Sequence, residues 1–373
     1  MHKVRGLLIR SALCLAAFVL ALGVAPHGAA AQGRSGAVYV LTNQSAENSV
    51  MVYRRAPDGT LSFSGSFSTG GKGMGTGADP LGSQGALTLG PGKRLLFAVN
   101  AGSNEISEFA VQGLNLRLLD KISSYGVEPV SIAVHGDLVY VLNAGGTPNI
   151  AGFIIDPFTN RLIYLPRSVN QLPGGGAAAP AQVGFSQDGS VLMVAEKGTS
   201  KIDTFTVNDR GYASHPMTTA SSGATPFGFE FTHRDIVVVA EAGPNALSSY
   251  EVDNNGNVEL VSGSIPNSQQ ATCWAVVTGD GRYAYTASAG TAAISSYEVS
   301  RGGVLSLLNP TAGTTVAGSA PTDLALSGDS RFLYVREGGN GTVSGFRVEW
   351  DGSLTPVNAV NGVPAGSQGI AAR

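Results

Sequence analysis

The chain has 373 residues, with 23 Lys and Arg against 26 Asp and Glu, a net charge of −3 and 51 glycines. Only 13% of its residues are charged, which argues against a disordered polyelectrolyte, and no basic run offers an electrostatic footprint for nucleic acid. Abundant glycine suits short buried strands joined by tight turns, and argues against a helical chain.

The first 31 residues read as a secretory leader. Lys3, Arg5 and Arg10 form a basic n-region, Ser11 to Val24 are apolar, and Ala29-Ala30-Ala31 offers a small-residue cleavage site. The apolar stretch is shorter than the ~20 residues a spanning helix needs, so no membrane association is expected once the leader is removed. Cleavage there takes three basic residues and no acid from the net charge of −3, leaving −6, and leaves Cys273 as the sole cysteine. An exported chain with one cysteine has no internal disulfide, so a large core must hold it together. Cys273, between Thr272 and Trp274 at the start of an apolar run, reads as a buried and inert thiol.

An internal repeat follows. Ala37 to Tyr53, Leu95 to Val111, Leu138 to Ile155, Val191 to Val207, Ile236 to Val252, Tyr283 to Val299 and Phe332 to Val348 each give an apolar run, a small or polar break, and an alternating run. That is a strand, a turn and a second strand. Tyr39, Phe97, Tyr140, Met193, Val238, Tyr285 and Tyr334 hold one position in successive copies, 58, 43, 53, 45, 47 and 49 residues apart. Such a period is that of a propeller blade. A strand feeding an Asp-Gly hairpin precedes most pairs (Gln182 to Gly189, Trp274 to Gly281), and an outer strand follows each later one (Asn255 to Val261, Asp351 to Val357). The expectation is an all-β, seven-bladed propeller with four antiparallel strands per blade, one domain over residues 37–373.

Ring closure is also written in the chain. No inner strand precedes Ala37, and the C-terminal Gly366-Ser-Gln-Gly-Ile-Ala-Ala372 resembles the inner-strand segment Gly82-Ser-Gln-Gly-Ala-Leu-Thr88. The C-terminus is therefore expected to supply the missing strand of the first blade, protecting edges that an open ring would expose.

In a propeller the starts of the inner strands and the ends of the second strands meet on one face, here termed the upper face. The expected binding set there is Gln84, Gln182, Trp274, Asp323 and Gln368 from inner strands, with Asn100, Asn143, Lys197, Arg336 and Glu337 from second strands. Glu241 and Glu196 are the candidate catalytic carboxylates. Such a group suits a small polar ligand, with Trp274 as a stacking surface. Turns favour the same residue types, so strand-end capping is the competing reading. The glycine-rich Gly70 to Gly77 lacks the ending of a phosphate loop and reads as a flexible insertion able to serve as a lid; Pro173 to Pro180 reads as a flexible connector. His135, His215 and His233 fall in different repeats without metal-ligand spacing, and no G-x-S-x-G elbow occurs. No metal and no cofactor are expected, although four carboxylates on one face keep a metal ion in view.

Gly279-Asp-Gly-Arg-Tyr-Ala-Tyr285, Ser327-Gly-Asp-Ser-Arg-Phe-Leu-Tyr-Val335 and Asp351-Gly-Ser-Leu-Thr-Pro356 resemble the blade motifs of the seven-bladed propeller lactonases, which include 6-phosphogluconolactonases and carboxymuconate-lactonising enzymes. The resemblance spans the mature chain and implies a lactonase-type hydrolase or isomerase acting on a small lactone or sugar acid. It also implies a site of one His, two Arg and one Glu. At the matching positions this chain has Ala181, Phe227, Ala289 and Ala242. A lactone-opening reaction needs a base and an oxyanion partner; here these would be Glu241 or Glu196 with Lys197 or Arg336. The alternative is a non-catalytic propeller that binds a small ligand or a protein partner. In either case the expectation is a monomer located in the periplasm or secreted.

Overall fold

The computed structural model describes residue 2 and residues 34–373. Apart from His2, the leader falls outside the described residues. Seven antiparallel sheets follow one another along the chain. Blade 1 joins Ile370–Ala372 to Gly36–Leu41, Ser49–Arg55 and Leu61–Ser68. Blade 2 comprises Leu87–Leu89, Leu95–Asn100, Glu105–Gln112 and Asn115–Ser123; blade 3 comprises Val127–His135, Leu138–Gly145, Asn149–Ile155 and Leu162–Tyr164, with Asn170–Gln171 also pairing its third strand. Blade 4 is Pro180–Phe185, Val191–Glu196, Lys201–Thr206 and Met217–Ala220, and blade 5 is Pro226–Phe231, Ile236–Glu241, Ala246–Val252 and Val258–Pro266. Blade 6 is Thr272–Val277, Tyr283–Ser288, Ala293–Val299 and Leu305–Thr314, and blade 7 is Pro321–Leu326, Phe332–Glu337, Thr342–Val348 and Leu354–Asn361. The seven-bladed architecture is as the repeat requires. Among the described residues no helix is long and apolar enough to cross a membrane.

The ring closes as expected. Ile370, Ala371 and Ala372 pair with Val40, Tyr39 and Val38, and the backbone N–H of Gln368 donates to the Leu41 carbonyl. The resemblance between the two Gly-Ser-Gln-Gly segments extends less far as strand than its sequence suggests. Only residues 87–89 and 370–372 enter the ladders, because Gly85 and Gly369 adopt φ values of 84° and 94° that end an extended run.

The second strands form the core. Tyr39, Phe97, Tyr140, Met193, Val238, Tyr285 and Tyr334 are all fully buried. Three of these tyrosines perform one task. Tyr140, Tyr285 and Tyr334 donate their hydroxyls to the carbonyls of Gly211, Gly352 and Gly59, each in the turn before the outer strand of the next blade. Where the second strand lacks a hydroxyl, its cross-strand neighbour supplies one. Thr204, opposite Met193, donates to the Gly256 carbonyl at 2.6 Å, and Ser249, opposite Val238, donates to that of Gly303 at 2.6 Å. Opposite Phe97 stands Glu108, whose Oε2 accepts the Leu162 N–H at 3.1 Å. The last joint uses the C-terminal residue: Arg373 donates to the Gly113 carbonyl at 2.5 Å. Every blade-to-blade joint thus carries a polar latch, buried or half-buried in six cases and exposed at the Arg373–Gly113 joint.

Removing the side chain of a latch leaves a backbone group unpaired, a carbonyl in six joints and the Leu162 N–H in the other, at ~1–3 kcal/mol where that group is buried. We expect Tyr334→Phe and Thr204→Val each to lower stability by about that amount in chemical denaturation. Deleting residues 366–373 removes a strand and one latch together, and is expected to lower the melting temperature far more than loss of eight terminal residues normally does. A truncated chain melting with the full-length protein would overturn the closure.

Candidate functional site

The upper mouth is where the inner strands of blades 3 to 7 carry a register shift, as between Pro180 and Gln182, Thr272 and Trp274, or Pro321 and Leu324. A bulge re-aims the residues beside it, so the side chains at the axis are not those of a regular ladder. The residue set anticipated for this face divides into two groups.

One group turns away from the axis into the loops. Glu241 Oε1 accepts from the Ser221 hydroxyl (2.9 Å), the Gly223 N–H (2.8 Å) and the Tyr250 hydroxyl (3.1 Å), while its Oε2 accepts from the Ser264 hydroxyl (2.5 Å). Glu196 accepts the Gly174 N–H at 3.0 Å and the Thr199 hydroxyl at 2.5 Å. Glu337 accepts from Asn340 and the Ser344 hydroxyl. Asn100 accepts from Thr69 and Asn48 and donates to Ser107, and Asn143 donates to the Ser124 carbonyl and to Asn149. All five are buried. In four of them the partner lies on the connection entering the same blade, so these side chains fasten that connection.

The other group meets at the axis, around a piece of the chain itself. Residues 78–85, leading into blade 2, bond to blades on every side. Arg336 Nη2 donates to the Ala78 carbonyl at 2.7 Å, and Lys197 Nζ to that of Gly82 at 2.6 Å. Trp274 Nε1 and Gln368 Nε2 each donate to the Ser83 carbonyl at 3.0 Å. The Ser83 hydroxyl donates to the Val130 carbonyl. Gln84 reaches blade 6, where its amide pairs with both the N–H (3.1 Å) and the carbonyl (2.8 Å) of Ala275. A segment tied to blades 1, 3, 4, 6 and 7 lies across the axis, and it plugs the upper mouth.

Trp274 is therefore 1% exposed, edge-on to Phe227, whose ring also carries Lys197 Nζ at 5.2 Å from its centroid. The glycine-rich residues 70–77 are likewise tied down. Gly73 N–H donates to the Gln44 carbonyl and Gly75 N–H to that of Asn43, while a Cβ on Gly366 would lie 1.3 Å from the Gly75 carbonyl oxygen. Their glycines serve close packing between blades 1 and 2, which differs from the flexible insertion expected.

Electrostatics follow burial. Asp79 is raised above the usual carboxylate range and Lys197 lowered, both chiefly through desolvation. Asp323 is pushed up to about 8 and Arg336 down to about 10 for the same reason, each partly offset by the other's charge. Burial also pushes the Cys273 thiol up to about 12, in keeping with an inert thiol. Among the described residues Arg336 forms no ion pair within 4 Å; its guanidinium bonds to the Ala78 and Thr322 carbonyls and the Thr322 hydroxyl. Among the described residues, no three His, Cys, Asp or Glu are placed to hold a metal ion.

Below the plug the channel is open. A cavity of about 540 Å³ runs from Gln84, Gln182 and Asp323 to the lower face, where the inner-strand hairpins lie, past Glu230 to a rim that includes Lys93, His135 and Ser186. Gln182 spends its amide on the N–H and carbonyl of Phe229. Glu230 is open to channel water yet ringed by protein, and loss of bulk solvation pushes its carboxyl up to about 7. Asp79 and Glu230 were missed from sequence. Glu230 carries a readable signal, a lone charge in Phe227-Gly-Phe-Glu-Phe231 two places from Gly228, hence on the channel side of its strand.

The pattern of the family described as "Lactonase, 7-bladed beta-propeller" matches residues 165–275. No curated protein sequence matches the chain. Among solved structures, a Lactobacillus plantarum protein superposes with TM-score 0.73 at 17% identity, covering 90% of this chain and 99% of its own. A putative 6-phosphogluconolactonase of Bacteroides fragilis gives 0.67 at 16% identity, covering 90% and 97%. The periplasmic gluconolactonase of Pseudomonas aeruginosa gives 0.69 at 16% identity, covering 90% and 99%. The protein is a seven-bladed β-propeller, similar in fold to these bacterial propellers, and its residues 165–275 carry the lactonase pattern.

Two outcomes are expected of this site. Arg336→Met removes its bond to the Ala78 carbonyl of the plug and is expected to speed amide exchange at Gly82–Gly85 at least tenfold; unchanged exchange there would show that Arg336 does not hold it. The second concerns pH. Glu108 and Asp323 at about 8, and Asp203 and Glu230 at about 7, hold protons in the folded chain that the unfolded chain releases near pH 4. Their contribution to stability is complete below pH 4 and lost as pH rises through 7 to 8. The turn aspartates Asp58, Asp156, Asp188, Asp253 and Asp351 are lowered, so they stay ionised in both states above pH 5. The melting temperature should fall from pH 5 to pH 8, and Glu108→Gln should flatten that fall. A profile that rises across the window contradicts it.

Proposed function

We propose that this chain is an exported, lactonase-related propeller that binds a small polar molecule in its axial channel, entered from the lower face, without hydrolysing a lactone. One observation carries the reading. The upper mouth is occupied by residues 78–85 of the chain itself, while the channel beneath stays open and holds a carboxyl, Glu230, with no side-chain partner among the described residues. The two candidate catalytic carboxylates fit this reading, since Glu241 receives four hydrogen bonds and Glu196 two. Carboxylates engaged in this way are turned into the loops, out of reach of a substrate at the axis. Export is supported by the leader-like residues 1–31 and by the likeness to a periplasmic gluconolactonase. A closed ring without free inner edges supports a monomer.

A second reading has its own support. Lys197, Arg336 and Asp79 gather at the upper centre, and relatives in fold are described as gluconolactonases. On this reading the plug moves aside, Glu241 or Glu196 acts as base, Lys197 or Arg336 steadies the oxyanion, and the substrate is a small lactone or sugar acid.

Proton release from a panel of aldonolactones and muconolactones separates the two. We expect no acceleration over buffer. Turnover that disappears in Glu241→Gln or Glu196→Gln would establish the second reading and remove the first.

A further inference from the structure

The channel wall has an uneven chemistry. Glu230 stands in mid-channel, and among the described residues no hydrogen bond or ion pair engages it. Deeper lies Asp323, 2% exposed, held at φ 102° in a region that side chains rarely adopt. Its Oδ1 accepts the Leu324 N–H at 2.9 Å, but its Oδ2 has no partner although buried in the channel wall. A buried carboxyl oxygen without a partner is costly; Asp79, Glu108 and Asp203 carry one too, but among these only that of Asp323 belongs to the channel lining. Nearby cations do not answer this need. Arg336, behind Asp323, spends its guanidinium on carbonyls and a hydroxyl, and Lys93 lies at the rim, where it feels Asp329 most among its charged neighbours.

Around the two acids, hydrocarbon side chains (Ile132, Val134, Val276, Ala325 and Ile370) share the lining with the amides and hydroxyls of Gln84, Thr88 and Gln182. An inorganic cation seeks six or more oxygens close around it, and among the described residues no three His, Cys, Asp or Glu gather to hold one. A molecule with an alkyl body and a protonated amine matches both features, and a volume of about 540 Å³ suits a small ligand.

We propose that the axial channel is a binding site for a small organic ammonium ion, with Glu230 and Asp323 as its counter-charges and the apolar wall as the seat for its carbon chain. This rests on the channel reading given above and names its ligand class. The field inside such a channel favours the pairing. Ionising Glu230 alone in the channel is unfavourable, which is why its carboxyl is raised, and an entering cation relieves that cost through a charge pair that water screens poorly.

The test uses the protein recovered after expression of the full chain. Calorimetric titration and thermal shift are run with 1,4-diaminobutane, 1,5-diaminopentane and butylamine, against calcium chloride, sodium chloride at matched ionic strength, and gluconate. Saturable binding of an amine is expected, weakened at least tenfold in Glu230→Gln and in Asp323→Asn, with Glu230→Asp recovering part of it. Glu230 makes no hydrogen bond or ion pair among the described residues, and its ionisation is unfavourable, so Glu230→Gln is expected to melt at or slightly above the parent near pH 7 without ligand, which separates lost binding from lost folding. Equal amine binding by parent and Glu230→Gln, or binding of calcium in preference to every amine, overturns the proposal. Gluconate binding that depends on Glu230, without amine binding, overturns the ligand class and leaves the channel reading standing. Lactone turnover unaffected by Glu230→Gln, with no ligand in the channel, overturns the channel reading itself.

Discussion

A ring of sheets has no free-standing blade, and the stability of each depends on the joint to the next. Blade 1 is completed by Ile370–Ala372 from the far end of the chain, so no joint is secure until the last residues are in place. The side-chain latches show how closely sequence has been fitted to this demand. The same turn carbonyl is satisfied by a tyrosine from the second strand in three blades, and by Thr204 or Ser249 from the third strand where Met193 or Val238 stands instead. Hydroxyl and partner exchange strands, yet the bond survives. Buried carbonyls left without a donor would weaken every joint in the circle.

The same logic extends to the axis. Seven inner strands leave a hollow at the centre, and at the upper end this chain fills it with its own backbone. The carbonyls of Ala78, Gly82 and Ser83 are met by Arg336, Lys197, Trp274 and Gln368, residues that in a sequence list look like ligand-binding groups. Their chemistry is that of recognition, but what they recognise is a peptide of the same molecule. This moves the solvent-filled part of the channel to the opposite face, where the ionisable side chains are few and loosely engaged.

The fold was legible because repetition and period-two alternation are properties of the chain itself. Seven copies at 43 to 58 residues, and a C-terminal segment resembling a missing strand, need no knowledge of side-chain direction. The site was legible only in part. Gln84, Trp274, Lys197, Asp323, Arg336 and Gln368 do meet at the centre, but Asn100, Asn143, Glu196, Glu241 and Glu337 turn outward into loops. Which way a strand-end residue turns is decided by the bulges of the inner strands and by whether a connection offers donors, as Ser221, Gly223 and Ser264 do for Glu241. Those are tertiary facts. Asp79 stands in a connection with no repeat partner, so the repeat does not mark it; Glu230 lies within its strand, whereas the repeat marks strand ends and the channel is lined along its whole length.

Closing one mouth makes the central hollow a blind well instead of a bore. Traffic into a blind well is single-ended: whatever arrives must expel resident water back along its own path, and products of any encounter leave by the door they used. Directional transit through the molecule is thereby forbidden, and occupancy becomes a matter of dwell time at the bottom, beside Asp323. Removing the stopper would convert a receptacle into a conduit without altering a single blade.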